Sequence, residues 1–286
     1  MNYYYDAVLK AAKLIEDNLT ADLRIQDIVE KIGFSQYHFM RVFKALSGHT
    51  IHNYIKRRKI TEAAGLLLET DMRIIEIALL YGWNSQEAFS RAFKETYNVP
   101  PNVYRSKGIN YRNVEQVILS ESVLNQKTAS ITRIEPQIVY KEEFLIAGLK
   151  YTGKNKNYEI PKLWNELDGI VNEISSWINR DICYGLEHYD EEFDNNGTFG
   201  YLAGIEVSNT DNLPAGIDYM KIKGCKYAVF TIPALVETIP KSIGEIYSCH
   251  LPDSGLKAAG NYDFEYYDNF EANKEGTYLS FYIPIE

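Results

Sequence analysis

The sequence predicts a multidomain chain: an all-α domain assembled from a repeated helix pair, followed by an α+β domain whose strands form an antiparallel sheet. Three observations carry this. Residues 24–44 recur at 73–94 with one inserted residue, the charge balance changes sign between the two halves, and the apolar pattern beyond residue 131 alternates between strand and helix periods. The expected boundaries are 1–108 for the first domain, 109–131 for a polar linker and 132–286 for the second domain.

Length supports this division, since 286 residues, 45% of them hydrophobic, can bury two medium cores. The net charge of −9 argues against a nucleic-acid partner only as an average. Residues 1–108 hold 15 Lys and Arg against 12 Asp and Glu, a balance of +3, which leaves −12 for residues 109–286. Such asymmetry points to two domains with different partners. Nothing approaches the roughly 18 to 20 consecutive apolar residues of a membrane span, and Met1–Asp6 lacks the basic and apolar regions of a secretory signal. No membrane is therefore expected, and the cytoplasm is the expected compartment. Cys183, Cys225 and Cys249 have no paired spacing and read as buried thiols. His49 and His52 stand at i, i+3 without an accompanying carboxylate or thiolate, so neither a metal nor a cofactor is expected.

The repeat is specific. At an offset of 49, Arg24-Ile25 matches Arg73-Ile74, Asp27-Ile28 matches Glu76-Ile77, and Gly33-Phe34 matches Gly82-Trp83. After the inserted Asn84 the offset is 50, and Ser35-Gln36, Phe39, Arg41 and Phe43-Lys44 match Ser85-Gln86, Phe89, Arg91 and Phe93-Lys94. Each copy reads as a short helix, a glycine that ends it in a left-handed conformation, a serine N-cap and a second helix. The buried stripe of the first copy's second helix is Phe39, Val42, Phe43 and Leu46; in the second copy it is Phe89, Ala92 and Phe93. This is a tandem helix-turn-helix plan.

The opposite faces carry groove-reading chemistry. Gln36, Tyr37, Met40, Arg41 and Lys44 share one face of the first reading helix, and Gln86, Glu87, Ser90, Arg91 and Lys94 share that of the second. Arginine can bond guanine through two atoms, glutamine can do the same with adenine, and lysine suits phosphate. A solvated amphipathic face would look similar in one helix, but two copies with arginine at the same place favour DNA reading. Between them, Ile51–Leu68 reads as a rod of roughly 27 Å, comparable with the ~34 Å between successive major-groove faces. One monomer could then cover two half-sites, with the basic run Lys56–Lys59 placed for phosphates or for solvent.

These residues resemble the DNA-binding domain of the AraC/XylS family and, within it, the MarA, SoxS and Rob group. The resemblance covers about residues 5–107 and rests on Gly33-Phe34-Ser35, Phe39 to Lys44 with Gly48, Tyr54 to Arg58, Tyr81-Gly82-Trp83, Phe89 to Lys94, and the closing Val99-Pro100-Pro101 with Tyr104-Arg105. It implies a bilobed homeodomain-like helical domain, contacts with double-stranded DNA from Tyr37, Met40, Arg41, Gln86, Glu87, Ser90 and Arg91, and activation through RNA polymerase. Met40 and Glu87 depart from the glutamines usual in that group, so the target sequence does not carry over.

Beyond the linker, the apolar pattern predicts a strand over Ile138–Tyr151, a helix over Ile160–Ile178, and strands near 182–189 and Phe199–Ser208. A strand over Met220–Ile232, a helix over Ile239–Ser248 and strands over Phe264–Asp268 and Tyr278–Ile285 follow. This order resembles the GyrI-like effector-binding domain, with Ala147-Gly148-Leu149, Pro161 to Trp164, Tyr201 to Val207, Phe264 to Tyr267 and Tyr282 to Ile285 as its marks. The resemblance implies a small-molecule effector, flat and often cationic, in an aromatic cleft with an acid, as in multidrug sensing. Glu265 is the candidate acid, with Trp164, Tyr201 and Tyr282 as walls, and rings can hold a cation by their quadrupole. Packing tyrosines and an exposed edge glutamate are the plainer alternative. No G-x-S-x-G elbow, P-loop or H-E-x-x-H occurs, so the chain is not expected to be an enzyme. Hydrolysis of a reactive small molecule at Glu265, or protein docking by the second domain, are the competing readings.

Overall fold

Two serines start the second helix of each repeat in the same way. In this computed structural model, which describes residues 2–108, 131–188, 198–268 and 276–286, the Ser35 hydroxyl accepts from the His38 amide at 3.3 Å and the Ser85 hydroxyl from the Ala88 amide at 3.1 Å. The turns before them match as well. Gly33 and Gly82 have φ of 71° and 83°, the Phe34 amide donates to the Val29 carbonyl at 3.1 Å, and the Trp83 amide donates to the Ala78 carbonyl at 2.9 Å. Among the described residues of the first half the helices are α1 (Tyr3–Glu16), α2 (Ile25–Ile32), α3 (Gln36–Ser47), α4 (Ile51–Glu69), α5 (Ile74–Leu80), α6 (Gln86–Tyr97) and α7 (Pro101–Lys107). The stripes read from sequence are buried: Phe39, Val42, Phe43, Leu46, Phe89, Ala92 and Phe93 all lie in the core.

Helix α4 joins the two units as a rod of 19 residues, about 28 Å long. Its basic run is not a uniform phosphate-facing strip. Arg58 turns inward and donates to both carboxylate oxygens of Glu16 on α1 at 2.7 Å and to Glu62 at 2.8 Å, while Lys56 pairs with Glu95 on α6. Arg58 therefore ties α1 to the rod, and Lys56 ties the rod to α6. The linker expected at 109–131 lies, apart from its last residue, outside the described residues.

Among the described residues the second half forms one eight-stranded antiparallel sheet: β1 (Gln137–Lys141), β2 (Phe144–Gly153), β3 (Ile182–His188), β4 (Phe199–Val207), β5 (Asp218–Ile222), β6 (Cys225–Pro233), β7 (Tyr262–Asp268) and β8 (Tyr278–Ile285), in spatial order β1-β6-β8-β7-β3-β4-β2-β5. Two expected single strands are each two. The run over Ile138–Tyr151 breaks at Glu142-Glu143, and that over Met220–Ile232 breaks at Lys223-Gly224. β1 and β5 each cross to the far half of the sheet, so each half is closed by the other's first strand. Periodicity cannot show such a corner, because both arms of it are apolar. Gly224 makes the corners compatible, since a Cβ there would sit 3.0 Å from the Glu143 amide nitrogen.

Helix α8 (Glu159–Ile170) runs into a 3₁₀ turn, Val171–Glu173, and so ends before the expected Ile178. Helix α9 (Ile239–Glu245) continues through a π-helical turn, Ile246–His250, into α10 (Leu251–Ser254). These segments cover one face of the sheet, α8 over β2 and β4, and α9 with the π turn over β6 and β8. Their separation leaves the central strands β3 and β7 as the floor of a cleft.

Because φ near +71° costs a residue with a Cβ roughly 1–2 kcal/mol, Gly33→Ala is expected to lower the thermal midpoint. Gly65→Ala, in the interior of α4 with open space at its Cβ position, is expected to raise stability by about 0.5–1 kcal/mol. Thermal denaturation of both variants checks the pair of opposite signs.

Candidate DNA-reading and effector sites

The two reading helices share a plan but not an environment. On α6, Gln86, Glu87, Arg91 and Lys94 are exposed and Ser90 is half-exposed. On α3, Gln36 and Lys44 are exposed and Met40 leans on the core, whereas Tyr37 is buried and the Arg41 side chain retains only 10% exposure. What covers them is the second half of the chain.

Residues two apart on a strand share a face, so Asp263, Glu265 and Tyr267 of β7 look into the cleft. The register sets Glu187 of β3 opposite Asp263, and Gly185 opposite Glu265. At the inner end, Glu265 accepts hydrogen bonds from the Tyr201 phenol at 2.6 Å and the Tyr267 phenol at 2.8 Å. The Trp164 indole donates to the Tyr201 oxygen at 3.2 Å, and its ring meets Tyr267 edge-on at 5.6 Å. Gly185 makes room for this knot, since a Cβ there would lie 2.0 Å from the Tyr201 oxygen and 2.3 Å from Glu265 Oε2. Burial pushes the Glu265 carboxyl up to about 7, against the two phenols that favour its ionised form.

At the outer end the cleft holds α3. The Arg41 guanidinium pairs with Glu187 through Nη1 and lies 3.1 Å from Asp263 Oδ2 through Nε. It also stands 4.8 Å from the Tyr247 ring centroid and 5.7 Å from that of Tyr37. Tyr37 donates to the Glu187 carbonyl at 3.2 Å, and Tyr247, presented by the π turn, donates to Asp263 Oδ2 at 2.6 Å. His38 is buried beside them. Its Nε2 lies 2.6 Å from the Ala259 carbonyl, which can only accept, so that nitrogen carries the proton, and burial lowers the imidazole to about 3, keeping it neutral. Burial opposes the charge on Arg41, but Asp263 and Glu187 more than offset it and the guanidinium stays protonated. Burial likewise raises the Asp263 carboxyl while Arg41 acts to lower it. Helix α1 adds a second contact, in which the Tyr4 phenol donates to the Leu256 carbonyl at 2.8 Å and accepts from the Ala258 amide at 3.0 Å.

Of the four residues expected to form the effector site, Trp164, Tyr201 and Glu265 meet, and Tyr282 does not join them. Tyr282 pairs with Phe264 on the opposite face and stacks on it at 4.7 Å. There it forms, with Phe144, Tyr184 and Tyr266, a box of rings 5.1–5.9 Å from the Lys141 ammonium. The motif Tyr282 to Ile285 carried no face assignment, which is why its aromatic ring seemed available. Glu187, Asp263, Tyr247 and Tyr267 were missed. The alternation of Asp263, Glu265 and Tyr267 was a readable signal, but the Glu187 register and the π turn behind Tyr247 were not.

These geometries define a class of protein, a tandem helix-turn-helix DNA-binding domain joined to a sheet domain with a buried acid in an aromatic cleft. Comparison with known proteins places it further: the chain belongs to the GyrI-like small molecule binding domain family, matched over residues 134–286, and it carries a helix-turn-helix domain matched over residues 28–107. It is 45% identical over 104 residues to an uncharacterized HTH-type transcriptional regulator, YbfP, of Bacillus subtilis, which covers 36% of this chain and 35% of that protein. It is 42% identical over 91 residues to the multiple antibiotic resistance protein MarA of Escherichia coli, covering 32% of this chain and 72% of MarA. Among solved structures it is similar to SAV2435 bound to tetraphenylphosphonium, at 18% identity with 54% of this chain and 94% of that one covered and a TM-score of 0.45. No helix among the described residues is long and apolar enough to cross a membrane.

Glu265 has a folded-state value above its unfolded one, so its stabilising contribution is present below about 4.5 and lost as pH rises through about 7. Wild-type stability is expected to fall relative to Glu265→Gln over that window, as thermal denaturation across a pH series would show. Gly185→Ala should break the Tyr201–Glu265 bond and cost about 1–3 kcal/mol by overpacking. A stability equal to wild type would mean that the cleft floor is looser than the contacts around Gly185 imply.

Proposed function

We propose that the chain is a transcription activator in which residues 1–108 read double-stranded DNA through both helix-turn-helix units and residues 132–286 sense a small lipophilic cation at Glu265. The observation that carries this reading is the equivalence of α3 and α6. Each is N-capped by serine after a left-handed glycine turn, and each bears glutamine, arginine and lysine at matching positions. On α6 this face is already exposed, with Arg91 and Gln86 free to address base edges and Lys94 a phosphate. On α3 the reading set is Gln36, Tyr37, Met40, Arg41 and Lys44.

Glu265 is the effector's counter-charge. Its carboxyl sits among Tyr201, Tyr267 and Trp164, a setting in which a desolvated cation gains from both the acid and the ring faces. A ligand role for Glu265 is preferred to acid catalysis because both phenols are spent on orienting the carboxylate. Activation proceeds through contact with RNA polymerase in the cytoplasm, as the resemblance to the MarA, SoxS and Rob group implies.

Selection of bound sequences from random duplex DNA by the full-length protein tests the reading. A single asymmetric site of about 20 base pairs, with two preferred blocks about one helical turn apart, is expected. Arg91→Ala should relax preference in one block only and cost about 1–3 kcal/mol there, whereas Lys94→Ala should weaken all sequences alike. Equal losses on selected and random DNA for Arg91→Ala would remove α6 from base reading.

A further inference from the structure

The unequal exposure of two helices with one sequence plan calls for a physical cause, and the cleft supplies it. Arg41 on α3 and Arg91 on α6 occupy the same repeat position, yet Arg91 is exposed while Arg41 is enclosed by Glu187, Asp263, Tyr37 and Tyr247. A buried guanidinium persists only where carboxylates compensate it, and here two do so from adjacent strands whose register holds them opposite each other. The acids at 263 and 265 are two residues apart on one strand face, about 7 Å. The Tyr201 side chain links the two levels, since Tyr201 stands opposite Glu187 while its phenol bonds Glu265. The place where Arg41 sits and the place where an effector cation would sit are thus parts of one acidic cleft.

We propose that this cleft is a docking site for the first reading helix, with Arg41 as its built-in cation, and that an effector cation and DNA both select the undocked arrangement. The proposal rests on the reading of α3 as base-contacting and of Glu265 as the effector's counter-charge. While Arg41 and Tyr37 are bound to Glu187 and Asp263 they cannot reach base edges, so the docked protein engages DNA through α6 alone. A bulky cation drawn to Glu265 shares the acidic strands, with Glu187 and Asp263, that hold Arg41 and Tyr37. Because it binds the undocked state better, it raises the population competent to read both half-sites, and by linkage DNA raises its affinity in turn. Effector and DNA therefore act in the same direction, with the effector as an inducer of binding.

The test uses the full-length protein on its selected site, with tetraphenylphosphonium as a bulky apolar cation and the isosteric anion tetraphenylborate as control. Tetraphenylphosphonium is expected to tighten DNA binding and to speed amide exchange in α3, and tetraphenylborate to do neither. The double variant Glu187→Gln/Asp263→Asn, which leaves the sequence of both reading helices unchanged, should bind the site roughly tenfold tighter or more without any cation, and the cation should add nothing further. The wild-type exchange measurement keeps the test decisive even where the double variant folds poorly. Thermal stabilisation by tetraphenylphosphonium with no change in DNA affinity or α3 exchange would overturn the docking proposal while leaving the effector site intact. Retention of full sequence discrimination by Arg41→Ala would instead overturn α3 as a reader, and the docking proposal with it.

Discussion

One buried guanidinium joins the two halves of this chain, and the rest of the structure is arranged so that it can stay there. Burying a charge carries a desolvation cost that only well-placed counter-charges offset, and Arg41 has Glu187 on one side and Asp263 on the other. The phenols of Tyr37 and Tyr247 and the neutral imidazole of His38 close the contact. The core follows the same seam, because buried residues of α1 and α3 form a single apolar cluster with Phe230, Tyr247, Phe281 and Ile283 of the second half. The tyrosine-rich start of α1 is part of this seam through Tyr4 and Tyr5.

The position of the cleft is a consequence of the sheet's topology. Each half contributes two strands, a helical segment and two more strands, and the first strand of each half is exchanged to the edge of the other. The exchange brings β3 and β7 together at the centre, with α8 to one side and the α9 segment to the other. Acids on those two strands then share one floor between two helical walls. The opposite face meets the same demand differently, with Lys141 set among aromatic rings and near Tyr184, whose phenol donates to Glu206 at 2.6 Å. On both faces a cation of the chain itself sits where rings and acids favour one.

Local rules made the first half largely legible. A serine cap, a left-handed glycine and a 3.6-residue apolar stripe are properties of neighbouring residues, so the repeat identified both helix pairs and their buried faces before any tertiary contact was considered. The second half was legible in its order of elements and in the meeting of Trp164, Tyr201 and Glu265. It was not legible where geometry depends on distant residues: the corners at Glu142-Glu143 and Lys223-Gly224, the cross-strand register that supplies Glu187, and the face on which Tyr282 lies. The burial of Tyr37 and Arg41 belongs to the same category, because the sequence marks them as surface groups and only the docking of one domain on the other encloses them.

In the proposed docking, Arg41 exchanges the carboxylates of its own chain for those edges of DNA that its helix is built to read. Determining the structure of the full-length protein bound to its selected DNA site tests this most directly. In that complex α3 and α6 are expected in successive major grooves, with Arg41 withdrawn from Glu187 and Asp263 and the cleft above Gly185 opened. Arg41 still paired with Asp263 while α6 alone lies in a groove would contradict it.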